Sequence, residues 1–88
     1  MERILFYTNE WDDVTKFVEL VPVMESSGME LAFATERRDL AELMAVGKLL
    51  VINPKVYNCD LTVYRTNRPK EFRGTLMSYD ELVEVFDE

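Results

Sequence analysis

"LTVYRTNRPKEFRGTL", Leu61 to Leu76, decides how this chain folds. Leu61–Arg65 alternates apolar and polar residues as a half-buried strand does, and "TNRP" has the composition of a turn. Lys70–Leu76 then reads as a returning strand, with Phe72 turned inward and Gly74 marking a bulge. So short a turn does not suit a parallel crossover, which takes about a dozen residues, and the pair is expected to form an antiparallel hairpin.

Working outward, "SYDE" at Ser78–Glu81 is a capping box, so a helix should follow and bury Leu82, Val83, Val85 and Phe86. Upstream, Asn53–Asp60 is a loop. Ile4–Tyr7 is short, apolar and β-rich, as buried strands are. Asn9 is placed to cap the helix that follows. Asp12 three residues on completes a variant capping box, and Glu10, Asp12 and Asp13 suit the positive end of the helix dipole. That helix should bury Val14, Phe17, Val18, Val21 and Met24, and Pro22 should kink it or end it early. Gly28 suits its C-terminal cap.

Met29–Ala34 reads as a second strand. Thr35 is placed to cap a second helix, which buries Leu40, Leu43 and Met44. Gly47 either stops that helix, leaving "KLLVI" as a strand, or lies within it, because helical spacing continues to Leu50 and Val51. The order is β-α-β-α-β-β-α. A right-handed crossover makes the first two strands parallel. With the hairpin, this is an α/β protein with a mixed sheet and helices on both faces.

The chain has 88 residues, enough for one small domain, and a net charge of −7. That charge argues against nucleic acid and anionic membranes as partners. It is unevenly spread. Residues 48–75 hold six basic and two acidic groups, between two acidic segments. One Cys and no His exclude an intrachain disulfide and a two-Cys redox or zinc motif. No cofactor is expected. No apolar run spans a membrane. No signal peptide is visible, which implies the cytoplasm if the chain is complete and the endoplasmic reticulum lumen if it is an excised domain.

The element order is that of the minimal thioredoxin-like core. "LTVYRTNRPKEFRGTLMSYDELVEVF", Leu61–Phe86, resembles the C-terminal strand-turn-strand-helix of thioredoxin-like domains in protein disulfide isomerases and calsequestrin. "FYTNEWDD" resembles that family's Phe-Tyr and Trp ahead of its Cys-x-x-Cys. "MELAFATERRDLAELMAV", Met29–Val46, resembles the second strand and helix of the non-catalytic domains. Aligned on Trp11, the two Cys positions fall on Asp12 and Thr15. Aligned on Pro22, the register shifts by two residues. No Cys meets the redox pair in either register, and the family's cis-Pro, due near Asp60, is absent. Disulfide exchange needs a thiolate and a resolving Cys. The resemblance therefore implies a redox-inactive domain that binds peptides or proteins, or serves as a scaffold beside a sister domain.

On that reading a groove lies between Asn9–Asp13 and Cys59–Leu61, lined by Asn9, Trp11, Asp12, Asp13, Cys59, Asp60 and Leu61. Each residue also has a plainer role. Trp11 beside a helix start reads first as packing. Asp12 and Asp13 read as capping, against a hard-cation site shared with Asp60. Cys59 reads as an inert thiol. Arg65, Arg68, Lys70 and Arg73 read as a solvated hairpin face, or more sharply as a docking patch for an acidic partner. Two other readings stay open. One is an enzyme centred on Cys59 or on Asp12, Asp13 and Asp60. The other takes "KLLVI" as a third parallel strand, giving a truncated flavodoxin-like or phosphotransfer-type domain with a site near Asn9 and Asn53.

Overall fold

A computed structural model describes residues 2–52 and 57–87, and the side chains as far as Val85. The element order is β1 (Arg3–Tyr7), α1 (Trp11–Ser26), β2 (Glu30–Ala34), α2 (Arg38–Val46), β3 (Leu61–Tyr64), β4 (Thr75–Ser78) and α3 (Tyr79–Asp87). The sheet order is β2-β1-β3-β4, and every pairing is parallel. Val51 adds a parallel bridge to Phe33 on the outer edge of β2. No helix among the described residues is long and apolar enough to cross a membrane.

The antiparallel hairpin is therefore corrected. β4 begins at Thr75, later than expected, and Thr62 pairs with Leu76 while Tyr64 pairs with Ser78. The whole of Arg65–Gly74, ten residues, is the connection. Ten extended residues reach roughly 33 Å. A four-residue strand is only about 13 Å long. The chain thus returns to the start of the sheet without a helix. Asp60 fixes that end. Its N–H donates to the Arg3 carbonyl at 2.8 Å, its carboxylate accepts from the Arg3 N–H at 2.9 Å, and its carbonyl accepts from the Thr75 N–H at 3.0 Å. One residue aligns the starts of β1, β3 and β4.

Helices on both faces is corrected as well. Buried side chains of all three helices (Val14, Phe17 and Met24; Leu40 and Met44; Leu82) join Ile4, Phe6, Phe33 and Val63 in one cluster. The opposite side of the sheet, Leu5, Tyr7, Ala32 and Ala34, is covered by Cys59, Ile52 and Tyr57. Successive right-handed crossovers stepping the same way, β1 to β2 and β2 to Val51, leave both helices on one face. The aromatic centre is Phe6, stacked on Phe17 at 4.7 Å and tilted against Phe33 at 5.3 Å.

Pro22 lies within α1 and does not end it. Phe17 before it and Met24 after it are both fully buried, so burial carries the helix past the missing N–H. α1 ends in a Schellman motif. Gly28 sits at φ +82°, Met29 N–H donates to the Met24 carbonyl, and Gly28 N–H donates to the Glu25 carbonyl. α2 ends the same way after Val46, but there the left-handed residue is Lys48 at φ 64°. Such a conformation costs a non-glycine residue about 1 kcal/mol. Lys48→Gly should therefore raise unfolding stability in urea by about 0.5–1 kcal/mol. A loss would mean that the lysine side chain makes a contact worth more than this strain.

Several apolar positions expected inside are outside. Val18 is exposed, as are Leu43, Phe72 and Val85, while the Phe86 side chain lies outside the described residues. Leu82 is buried as expected, and Val83 is half-buried. Only three helices share one face of a narrow sheet, so a narrower stripe on each meets the core than the apolar pattern offers.

Candidate functional site

In an open parallel sheet, ligands meet the carboxyl ends of the strands where neighbouring connections diverge. Here that place lies between β1, whose chain goes on to β2, and β3 on its other side. Thr8, Asn9 and Asp13 stand there with Arg65, Thr66 and Asn67.

Asp13 is the third residue of α1 and fully buried. It accepts from Arg65 Nη1 at 2.8 Å, from the Thr66 N–H and hydroxyl at 2.9 Å each, and from the Thr8 hydroxyl at 3.0 Å. Burial alone would push its carboxyl up. The hydrogen bonds from Arg65, Thr66 and Thr8 outweigh that and hold it below the ordinary carboxylate range. Thr8 is also fully buried, and its hydroxyl accepts from the Glu10 N–H. The sequence placed Asp13 in the first turn of the helix, as a capping acid, as part of a groove lining, or as one carboxylate of a hard-cation site. In the structure it locks α1 to the end of β3.

Asn9 does not cap α1. The helix starts at Trp11, and Glu10 holds the cap position without a side-chain bond. Asn9 instead ties three loops. Its N–H donates to Asn67 Oδ1. Its Oδ1 accepts from the Thr35 hydroxyl and the Glu36 N–H, both at 2.8 Å. Its Nδ2 donates to the Tyr7 hydroxyl, and its carbonyl accepts from Arg37 Nη1. Burial pushes the Tyr7 phenol up, the Asn9 contact opposes this, and the nearby Glu36 carboxylate adds to the rise. Thr35 is displaced from its expected capping role in the same way. α2 begins at Arg38, and the Thr35 hydroxyl accepts from the Arg37 N–H. Of the expected N-terminal caps Ser78 alone caps as expected, accepting from the Glu81 N–H.

The other expected site residues are not gathered here. Cys59, Asp60 and Leu61 precede or begin β3, which runs parallel to β1, so they stand at the opposite end of the sheet from Asn9, Trp11, Asp12 and Asp13. No groove joins the two sets. Cys59 is buried, with its Sγ 3.3 Å from the Thr62 hydroxyl and 3.3 Å from the Arg73 carbonyl. Asp60 is spent on the strand starts. Among the described residues no three His, Cys, Asp or Glu stand close enough to hold a metal ion. Asn53 lies outside the described residues.

Trp11 overturns the packing expectation. It is 50% exposed, at the first position of α1. Val18 and Pro22, also exposed, follow at helical spacing on the same side of that helix. Exposed charges stand beside the start of that helix, where Arg37 donates to the Asn9 carbonyl. Arg37 meets Asp39 through two nitrogens, at 2.6 and 3.2 Å. Every buried side-chain nitrogen or oxygen among the described residues has a partner. The rim thus offers an aromatic surface on a hydrogen-bonded base, with no unpartnered buried polar side chain among the described residues.

Neither family models, nor curated proteins, nor solved structures give a match to the chain. Its function is therefore read from this geometry.

The network at Asp13 was not legible from motif spacing, because Arg65 and Thr66 lie far from it in sequence. One signal was present. Thr8-Asn9 follows β1 and Thr66-Asn67 follows β3, so short polar side chains able to bond neighbouring backbone recur at both strand ends.

Proposed function

We propose that this chain is a non-enzymatic, redox-inactive module that binds a peptide or protein partner at the rim on the C-terminal end of its sheet. The half-exposed Trp11 carries the reading. Tryptophan is costly to leave in water and is enriched where binding energy concentrates. Val18 and Pro22 extend the apolar surface along α1. The base is pre-organised by Asn9 and Asp13, so binding would order few groups. The resemblance to redox-inactive thioredoxin-like domains points to the same class of function, although the parallel β3–β4 pair departs from the hairpin expected with it.

One observation favours the second reading. An all-parallel sheet with a Val51 bridge outside β2 suits a flavodoxin-like or phosphotransfer-type domain better than a hairpin does. Phosphoryl transfer to a carboxylate needs that carboxylate accessible. Asp13, the acid best placed at the strand ends, is fully buried and holds four donors. Binding is therefore the preferred function.

The test is peptide display selection on the immobilised chain, then amide NMR titration with the enriched peptide. Shifts should centre on Glu10–Asp13, Val18 and Glu36–Arg38. Trp11→Ala should weaken binding at least about tenfold. An enriched peptide that binds Trp11→Ala as tightly as the native chain, or no enrichment at all, refutes the proposal.

A further inference from the structure

The Arg65–Gly74 connection is a long irregular segment in a small domain, yet it is held along its length. At its start Arg65 and Thr66 bind Asp13, and Asn67 accepts from the Asn9 N–H. Pro69 is buried midway. At its end the Arg73 carbonyl accepts from the Thr62 hydroxyl at 2.9 Å, and Arg73 Nη1 donates to Asn58 Oδ1 at 2.7 Å. Gly74 packs against the backbone of Cys59 and Asp60. Thr62 alternates with Leu61 and Val63, which face the helices, so this arch runs over the side of the sheet that the helices leave open.

What the arch displays is unlike the rest of the molecule. It holds four cations and one acid, Glu71, in a chain whose remaining residues carry six cations and sixteen acids. Arg65 is spent on Asp13. Arg68 lies with its guanidinium carbon 5.8 Å from the centre of the Tyr64 ring, and neither Arg68 nor Lys70 pairs with a carboxylate among the described residues. Phe72 is 45% exposed between Lys70 and Arg73. A hairpin would have turned Phe72 inward. The parallel crossover turns it out.

We infer that the Arg65–Gly74 arch is a second docking surface, fitted to an acidic peptide segment that carries an apolar side chain. Arg68 and Lys70 would face its carboxylates, and Phe72 would meet its apolar residue. Charge complementarity selects this partner. An acidic segment is repelled by the net negative charge of the rest of this molecule and attracted by the net positive arch, which sets both position and orientation. Basic and aromatic side chains also suit single-stranded nucleic acid. The sixteen acids outside the arch oppose a polyanion long enough to extend past it.

The inference rests on the proposed binding role but uses a different face from Trp11. Fluorescein-labelled short peptides rich in Asp and Glu with interspersed Leu or Phe are titrated with the whole chain by anisotropy, beside a single-stranded oligonucleotide. The acidic peptides should bind, and added salt should weaken them. Arg68→Glu with Lys70→Glu should weaken them about tenfold or more. Phe72→Ser should weaken them several-fold, and Trp11→Ala should leave them unchanged. All of these side chains are exposed, and circular dichroism checks that each variant folds. Acidic peptides that fail to bind, bind the charge-reversed variant equally, or bind more weakly than the oligonucleotide overturn the inference. If they fail while Trp11-dependent binding persists, only the arch falls. If Trp11→Ala weakens them as much as charge reversal does, one surface is shared and the separate arch site is wrong.

Discussion

Asp13→Ala should lower unfolding stability by about 3 kcal/mol, the low end of what removing one partner of a buried ion pair costs. Arg65 is 39% exposed and can turn to water, so it adds little to that loss. The larger part comes from the Thr8 hydroxyl and the Thr66 N–H and hydroxyl, which lose a common acceptor. A domain this size holds only about 4–13 kcal/mol in all. The melting temperature should fall by roughly 15 °C. Arg65→Ala alone should cost well under half as much. If urea titration puts Asp13→Ala within about 1 kcal/mol of the native chain, the network does not hold α1 to β3.

The same residue sets a pH signature. In the folded chain the hydrogen bonds from Arg65, Thr66 and Thr8 hold the Asp13 carboxyl below the ordinary carboxylate range. Its contribution is thus fully present above the unfolded value and is lost as pH falls through the folded one, because between the two values the unfolded chain binds one proton more than the folded chain. Native stability should be insensitive to this group near neutrality and fall in acid. Asp13→Asn should start lower and show a shallower acid slope. Equal slopes would assign the acid transition to other carboxylates.

Local chemistry was legible from the sequence, and direction was not. β1, β2, the Gly28 cap and the Ser78 N-cap follow from short-range patterns, and each is present. The hairpin error has a definite physical source. A turn at "TNRP" would place Gly74 opposite Leu61, and the parallel arrangement pairs Leu61 with Thr75. Both arrangements put the same residues beside the start of β3, so composition and alternation there cannot separate them. What separates them is the bonding of Asp60 to Arg3 and Thr75, residues distant in sequence. The groove expectation failed with it, since reversing β3 carries Cys59–Leu61 to the far end of the sheet. Asn9 and Asp13 do lie at the carboxyl ends of the strands, but as locks between loops. Trp11 was read first as packing because a lone Trp beside a helix start usually packs, and a strip of helix beyond the reach of this small core left it half-exposed.

Gly74→Ala should be the most damaging single methyl group in the chain, costing about 4 kcal/mol or preventing folding. Gly74 sits at φ +73°, which alone costs an alanine about 1 kcal/mol. The added Cβ would also stand closest to the Asp60 carbonyl oxygen, 2.5 Å from its carbon and 2.6 Å from the Cys59 carbonyl oxygen. All three are backbone atoms, so no side-chain rotation relieves the overlap. Relief needs β4 to move away from Asp60, which breaks the Thr75 N–H bond to the Asp60 carbonyl and frees the end of the arch. Gly28→Ala is the matched control. Its φ is +82°, but a Cβ there would meet nothing within 4 Å. That variant should lose only the backbone strain, about 1 kcal/mol. The difference between the two alanine variants measures the closeness of approach at Asp60 apart from the left-handed conformation. If they lose equal stability, β4 yields at Asp60 and the arch is not clamped there. Phe72 and Lys70 would then be displayed on a loose loop, and the acidic peptide would have to order them on binding.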